Sequence, residues 1–276
     1  GVFAFSGGEA LLRKDDLLAL MDRADTLPKI GSYQLLTNGS LLTEEIVTHL
    51  KGLRKLAAIQ LSLESSSPEV NDSVRGKGTF EETLRAIKLL TKNGLRIKIS
   101  TTISQLNYLD IPTLIKWVDQ KGVDEIGFDR LIPSGKGKNL SSLTKEALQQ
   151  VYGMIYSLAP STKKVTVVMR RPLFCLIAPE DKEIGAMCSA GINNLSIMPD
   201  GTIYPCRWLP IPIGNITDVD LDQMWHNDIV LTRLRRKKER KGKCNGCPFL
   251  LKCGGCRGMA YFHSGDYLAE DPQCWR

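Results

Sequence analysis

The sequence predicts an α/β protein, with a parallel sheet and helical crossovers over its N-terminal part and a small cysteine-rich domain behind it. Two observations carry this expectation. Strand-like apolar runs alternate with helical patterns at about 30 residues per unit, the rhythm of right-handed βαβ crossovers. All eight cysteines of the 276 residues fall after Phe174.

A short apolar run over 2–5 ends in Ser6, Gly7, Gly8 and Glu9, and a helical pattern follows around Leu17, Leu18, Leu20 and Met21. The next strand is expected over 33–36, closing on Thr37, Asn38 and Gly39, with a helix beginning near Thr43. Ile59, Leu61 and Leu63 alternate with Gln60, Ser62 and Glu64, the period-2 signal of a half-buried strand. Thr79 and Glu82 have capping-box spacing and open a helix through Ile87, Leu89 and Leu90, which Asn93 and Gly94 stop. A β-branched run over 97–103, a helix over 111–120 and a strand over 126–132 complete the series. Pro133, Ser134, Gly135 and Gly137 punctuate its end, and a helix over 145–158 leads into the cysteine-rich part. Ligands of parallel sheets gather at the C-terminal strand ends, so the candidate segments are 6–9, 37–39, 62–65, 101–104 and 130–134.

Composition narrows the setting. Hydrophobic residues make up 42% of the chain, and no run approaches the ~20 consecutive apolar residues that cross a bilayer. No secretory pattern opens the sequence, so the expectation is a cytoplasmic protein without a membrane partner and without disulfides. The net charge of +7 is concentrated in LTRLRRKKERKGK over 231–243. A run of this kind is usually a solvated helix face. It could also balance a negative cofactor or attract an acidic substrate or electron donor. No aromatic platform interleaves it, which argues against nucleic acid.

Cys244, Cys247, Cys253 and Cys274 are separated by two, five and twenty residues, and Cys256 lies inside the same run, CNGCPFLLKCGGCRG. Thiolates at such density select zinc, copper or iron-sulfur clusters. A zinc ribbon normally needs about 12 to 20 residues between its two C-x2-C knuckles, more than the five found here. Iron-sulfur clusters are therefore expected, with zinc as the structural alternative.

Cys188, then Gly201 and Cys206 with four residues between them, then the C-x2-C-x5-C-x2-C run and Cys274, resemble the SPASM or twitch auxiliary-cluster domain of radical S-adenosylmethionine enzymes. The SGGE turn after an early strand is similar to the segment that holds the amino group of S-adenosylmethionine in that superfamily. The resemblance covers essentially the whole chain. It implies a partial (β/α)6 TIM-like barrel lacking its first strand over 1–140, a helical linker over 141–170 and a SPASM-like [4Fe-4S] domain over 171–276.

The resemblance also implies roles. Gly7, Gly8 and Glu9 would hold the methionyl amine, and Ser62 and Glu64 would face the ribose. Thr102, Arg130 and Leu131 would complete the adenosyl pocket, while Arg75 in the VRGKG turn is left without a clear role. Cys244, Cys247, Cys253 and Cys274 match the outer auxiliary cluster. Cys188, Cys206 and Cys256 match three ligands of the inner one, and Cys175 is the thiol left to be its fourth, or else a buried core thiol. Two residues rather than the usual three separate Cys253 from Cys256. No residue is assigned a catalytic role.

The superfamily's C-x3-C-x2-C motif for the catalytic cluster is not in this sequence, which starts at what would be the second strand. The expectation is a fragment that binds auxiliary clusters but does not by itself make the 5′-deoxyadenosyl radical, with a degenerate homologue as the other possibility. The segment CGGCRGMAYFHSGDYLAEDPQC is similar to the tails of enzymes that modify tetrapyrrole side chains in haem and haem d1 biosynthesis. It implies a tetrapyrrole substrate, with peptide or protein modification as the alternative, and a reductase such as flavodoxin or ferredoxin as electron donor. His263 reads as a surface histidine or an iron ligand. A rival from another class is a non-catalytic iron-sulfur electron-transfer protein.

Overall fold

Burial alternates along Ser32–Thr37 and Ile97–Ile103, as expected of half-buried strands in a parallel sheet. A computed structural model describes residues 2–276, the side chain of Lys136 excepted. Strands β1 (Val2–Phe5), β2 (Ser32–Thr37), β3 (Leu56–Ser62), β4 (Ile97–Ile103), β5 (Glu125–Arg130) and β6 (Thr166–Val168) form one sheet in that order. The pairing is parallel, with Phe5 opposite Leu35, Leu61 opposite Ile99 and Ile126 opposite Val167. Sequential parallel order requires a crossover after each strand. Helices α1 (Lys14–Thr26), α2 (Glu44–Lys51), α3 (Pro68–Arg75), α4 (Thr79–Lys92), α5 (Ile111–Asp119) and α6 (Lys145–Leu158) lie in these connections.

Each helix starts for a local reason. Thr43 caps α2 through the Ile46 N–H, and Ser67 caps α3 through the Val70 N–H with Pro68 at the first helical position. In α4, Phe80, Thr83, Ala86, Ile87 and Leu90 make one buried stripe at helical spacing. The capping box expected at its start does not form. Thr79 is already inside the helix, Gly78 precedes it at φ +86°, and Asp72 of α3 takes the Gly78 and Phe80 N–H groups at 2.5 and 2.9 Å. The Glu82 N–H, which Thr79 would have capped, donates to the Gly78 carbonyl at 3.2 Å.

The strand expected over 126–132 ends at Arg130, and β6 lies inside the stretch read as a helical linker. Three residues are too few to show a period of two, so β6 left no pattern in the sequence. Asp119 secures it. Its carboxylate accepts the N–H groups of Lys163, Lys164 and Val165 at 3.1, 2.7 and 2.8 Å, and these bonds hold its pKa below the usual carboxylate value. A lowered pKa stabilises the fold above the ordinary carboxylate range, and the contribution is lost as pH falls through the folded-state value. Asp119→Asn should accordingly flatten the acid limb of a melting-temperature profile between about pH 5 and 2. An unchanged limb would remove Asp119 from this role.

The chain divides into two compact units, one of residues up to Asp129 with Met154–Val168, the other Arg130–Gly153 with Met169–Arg276. The second unit contains an antiparallel sheet of β7 (Ser196–Ile197), β8 (Thr202–Tyr204) and β9 (Gly214–Asn215), then α7 (Leu221–Asn227), α8 (Ile229–Arg235) and α9 (Arg257–Ser264). Ala190, Ile203, Leu209, Ile213, Met224, Leu231 and Leu234 form its core. Gly201 turns the β7–β8 hairpin at φ +83°, and a Cβ there would stand 2.5 Å from the Asn215 Oδ1. That position requires glycine twice over.

The basic run over 231–243 is not one solvated helix face. Leu231 and Leu234 belong to the core, α8 ends at Arg235, and Arg240 is buried. Arg235 donates to the Gly191 and Trp225 carbonyls and stacks 4.2 Å from the Trp225 ring centre. Among the described residues no helix is long and apolar enough to cross a membrane.

Candidate active site and metal centres

In the first unit, the ends of neighbouring strands are tied by two carboxylates. Glu9, at the end of the SGGE turn, accepts the Thr37 hydroxyl at 2.6 Å, the Asn38 N–H at 2.7 Å and the Leu11 N–H at 3.1 Å. It thus joins the β1 turn to the β2 turn. Gly7 and Gly8 are exposed and neither adopts a positive φ. A Cβ on Gly8 would meet nothing within 4 Å, and one on Gly7 only atoms at 3.9 Å or beyond. The protein's own packing gives no reason for two glycines here, so the bare backbone suits a ligand approaching from outside.

Glu64 is buried just past β3. Its Oε1 accepts from Arg75 at 2.7 Å, its Oε2 from the Thr102 N–H at 2.6 Å, and its own N–H donates to Asn71 at 3.1 Å. Burial pushes its pKa up, and the Arg75 guanidinium opposes that shift. Both oxygens are therefore committed to joining β3, α3 and β4. This gives Arg75 the role its sequence position left open. Ser62 and Thr102 are half-buried beside this network. Asp110 locks the following loop, accepting from the Ser65 and Ser66 hydroxyls at 2.5 and 2.9 Å. Neither Asp110 nor Asn107, which bridges the Glu64 and Thr102 carbonyls, carries a periodic or motif signal.

Arg130 and Leu131 belong to the second unit. Arg130 makes a bidentate pair with Asp271 at 2.9 and 2.6 Å and reaches Gln273 at 3.0 Å, and Leu131 is buried. Asp271 also accepts the Cys256 N–H at 2.7 Å and so positions that cysteine.

All eight cysteines are free thiols. Cys244, Cys247, Cys253 and Cys274 line one cavity of about 370 Å³, together with Leu173 and Phe249. Among the described residues no three His, Cys, Asp or Glu side chains converge as on a single ion, so the thiols surround a space and do not meet at a point. The Cys253 sulfur accepts the Leu173 and Gly255 N–H groups at 3.3 and 3.4 Å, and the Cys206 sulfur accepts the Trp208 N–H at 3.5 Å. Backbone donors aimed at sulfur favour thiolate and orient it for a metal.

Cys188, Cys206 and Cys256 make up the other set of thiols expected from the sequence, and Cys188 acts electrostatically on the other two. Burial raises the Cys206 and Cys256 thiols, the latter to about 12, and the nearby Cys188 adds to both shifts. Cys175 was expected either as the fourth member of this set or as a buried core thiol. It is fully buried, beside the Tyr152–Phe174 stack at 3.7 Å, and hydrogen-bonds with Cys253. Its neighbour thus lies in the other set of thiols, which sequence spacing alone did not indicate.

Comparison with known proteins decides the family. A family model described as Radical SAM superfamily matches residues 1–118, and SPASM, described as an iron-sulfur cluster-binding domain, matches residues 188–248. The AdoMet-dependent heme synthase of Methanosarcina barkeri is 30% identical over 99% of this chain and 82% of its own. The chain belongs to the radical SAM superfamily. As a radical SAM enzyme with a SPASM domain, it has S-adenosylmethionine and [4Fe-4S] clusters as its cofactors. The Mycofactocin maturase MftC of Mycobacterium tuberculosis is 31% identical over 97% of this chain and 69% of its own. Among solved structures, Streptococcus suis SuiB bound to S-adenosylmethionine superimposes with a TM-score of 0.79 at 20% identity, over 100% of this chain and 66% of SuiB. Native anSMEcpe with bound AdoMet gives 0.75 at 21% identity, over 99% and 79%. These likenesses establish the fold, an α/β parallel sheet followed by a SPASM domain.

The residues fit the cofactors. The open space at Gly7 and Gly8 leaves room beside the Glu9 carboxylate, and four thiols around one cavity, with two N–H donors aimed at the Cys253 sulfur, suit a cluster larger than one ion.

Proposed function

We propose that this radical SAM enzyme modifies a side chain of a tetrapyrrole, working in the cytoplasm with electrons from a flavodoxin- or ferredoxin-type reductase. When bound, S-adenosylmethionine and the clusters supply one-electron, hydrogen-abstracting chemistry. The chain's own residues hold and shield it. Gly7 and Gly8 admit the methionyl group against bare backbone, and Glu9, fixed by Thr37 and Asn38, receives its ammonium. Ser62 and Thr102 present the sheet edge to the ribose, and Glu64 keeps β3 and β4 in register for that contact. Arg130 and Leu131 have no part in this reading, since the Arg130 guanidinium is committed to Asp271 and Gln273. Cys244, Cys247, Cys253 and Cys274 ligate one auxiliary cluster, Cys188, Cys206 and Cys256 contribute to another, and Cys175 supports Cys253.

The four thiols around one cavity carry the cluster assignment. Similarity over nearly the whole chain to the M. barkeri heme synthase supports the tetrapyrrole, as does 27% identity to the Pre-heme d1 synthase of Dinoroseobacter shibae. The MftC likeness favours a second reading, maturation of a peptide or protein by the same chemistry. Titration with a carboxylated iron porphyrin separates the two. A saturable shift of its Soret band at micromolar concentration is expected, and no shift would leave the maturase reading in its place.

Gly8→Ala tests the cradle. The substitution adds a methyl group in open space at an ordinary φ, so stability should be unchanged or raised by about 0.4–1 kcal/mol. S-adenosylmethionine binding, measured by equilibrium dialysis, should nonetheless weaken at least about tenfold, or about 1.4 kcal/mol. Unaltered binding would place the methionyl group elsewhere.

A further inference from the structure

Two arginines lie buried among the cysteines without an ion-pair partner among the described residues. Arg240 is 4% exposed and Arg257 is fully buried. Arg240 donates through Nη2 to the Leu234 carbonyl at 2.7 Å, while its Nε and Nη1 have no acceptor among the described residues. Arg257 donates through Nη1 to the Tyr267 and Ala269 carbonyls at 3.0 and 2.6 Å and through Nε to the Gly255 carbonyl at 3.3 Å. Its Nη2 has no acceptor among the described residues. The nearby carboxylates are committed. Glu239 pairs with Arg233 and Arg236, and Asp271 with Arg130.

These guanidinium groups stand close to the thiols and to each other. Arg257 directly follows Cys256, and a Cβ on Gly255, a wall residue of the cavity, would lie 2.5 Å from its Nη2. Arg240 lies four residues before Cys244, and the next residue, Lys241, donates to the Leu268 carbonyl at 2.9 Å, within the segment that holds Arg257. Burial and the Arg257 charge bring the Arg240 guanidinium down to about 10, and Cys188 and Cys244 act against that fall. Two buried cations with unused donors are unfavourable unless an anion lies between them and the thiols. A [4Fe-4S] core with four thiolates is such an anion, and reduction makes it more negative.

We propose that Arg240 and Arg257 are the counter-charges of the auxiliary clusters, their unpaired N–H groups donating to cluster sulfur and raising the reduction potential, with Arg240 serving both groups of thiols. The proposal rests on the reading that the thiols hold clusters, and iron and sulfide analysis checks that reading separately. The test uses the full chain loaded with iron and sulfide without oxygen and titrated with dithionite, the reduced clusters being followed by electron paramagnetic resonance. Arg240→Met should lower a cluster midpoint so that the reduced-to-oxidised ratio at fixed potential falls at least about tenfold, which is about 59 mV for one electron. Arg240→Lys should recover part of the shift. The metal-free Arg240→Met protein should melt higher than metal-free wild type, because an uncompensated charge is gone, while the loaded variant melts lower than loaded wild type. Unchanged midpoints at unchanged iron content overturn the proposal.

If the variants do not fold, wild type carrying 15N-arginine keeps it testable. Electron spin echo modulation from 15N should appear on the reduced cluster signal, and its absence overturns the proposal. A wild-type chain that takes up no iron overturns the cluster reading itself, and this inference with it.

Discussion

Asp271→Ala should destabilise the second unit by about 3–5 kcal/mol, because it leaves a buried guanidinium without its anion. Arg130 and Asp271 are 7% and 0% exposed, their two hydrogen bonds are charge-assisted, and Asp271 also satisfies the Cys256 and Gln273 N–H groups. The alanine variant therefore loses three kinds of contact at once. Urea unfolding of the full chain should show the loss as a lower midpoint for the transition of this unit. A paired Arg130→Met and Asp271→Leu substitution should recover part of it, since removing both charges removes the desolvation cost of each. A single variant that costs under about 1 kcal/mol would show that water or another cation already screens this pair. The same change frees the Cys256 backbone, so iron bound by the Cys188, Cys206 and Cys256 group should fall with it.

Cys253→Ser should reduce iron and acid-labile sulfide from about eight to about four per chain, while Cys175→Ser should leave both unchanged. The difference follows from position. Cys253 lines the cavity with Cys244, Cys247 and Cys274 and receives two backbone donors on its sulfur. Cys175 is fully buried next to Phe174 and meets Cys253 by a hydrogen bond, which a serine hydroxyl can reproduce. Equal loss of about four irons in both variants would make Cys175 a ligand, and stoichiometric zinc without sulfide would remove clusters altogether.

The features legible in the sequence were those with a local repeat. Strands β2, β3 and β4 alternate clearly, α4 carries a full apolar stripe, and the thiols of the outer cluster sit in one short run plus Cys274. What escaped is made of pairs distant along the chain. Arg75 finds Glu64 eleven residues away, Asp119 holds Lys164 across 45, and Arg130 finds Asp271 across 141. A buried charge has no period, and its partner is chosen by the packing of elements. The sequence offered Cys175 as a ligand or a buried core thiol but not its hydrogen bond to Cys253, because spacing says which thiols can share a loop and not which come together from separate loops. The SGGE turn was legible as a glycine-rich strand end, and its ligand was read from resemblance, whereas the open space at Gly7 and Gly8 is visible only in the fold.

The separation of Arg130 from Asp271 also sets a timetable. At about 5–20 residues per second, a ribosome delivers Arg130 roughly seven to twenty-eight seconds before the carboxylate that neutralises it. During that interval the first unit's β1 to β5 are already made, but the residues around Cys256 have no anchor. Closing so long a loop costs entropy that only the finished tail repays. A nascent chain arrested before Asp271 should accordingly be cut by protease around Arg130 more readily than the released chain.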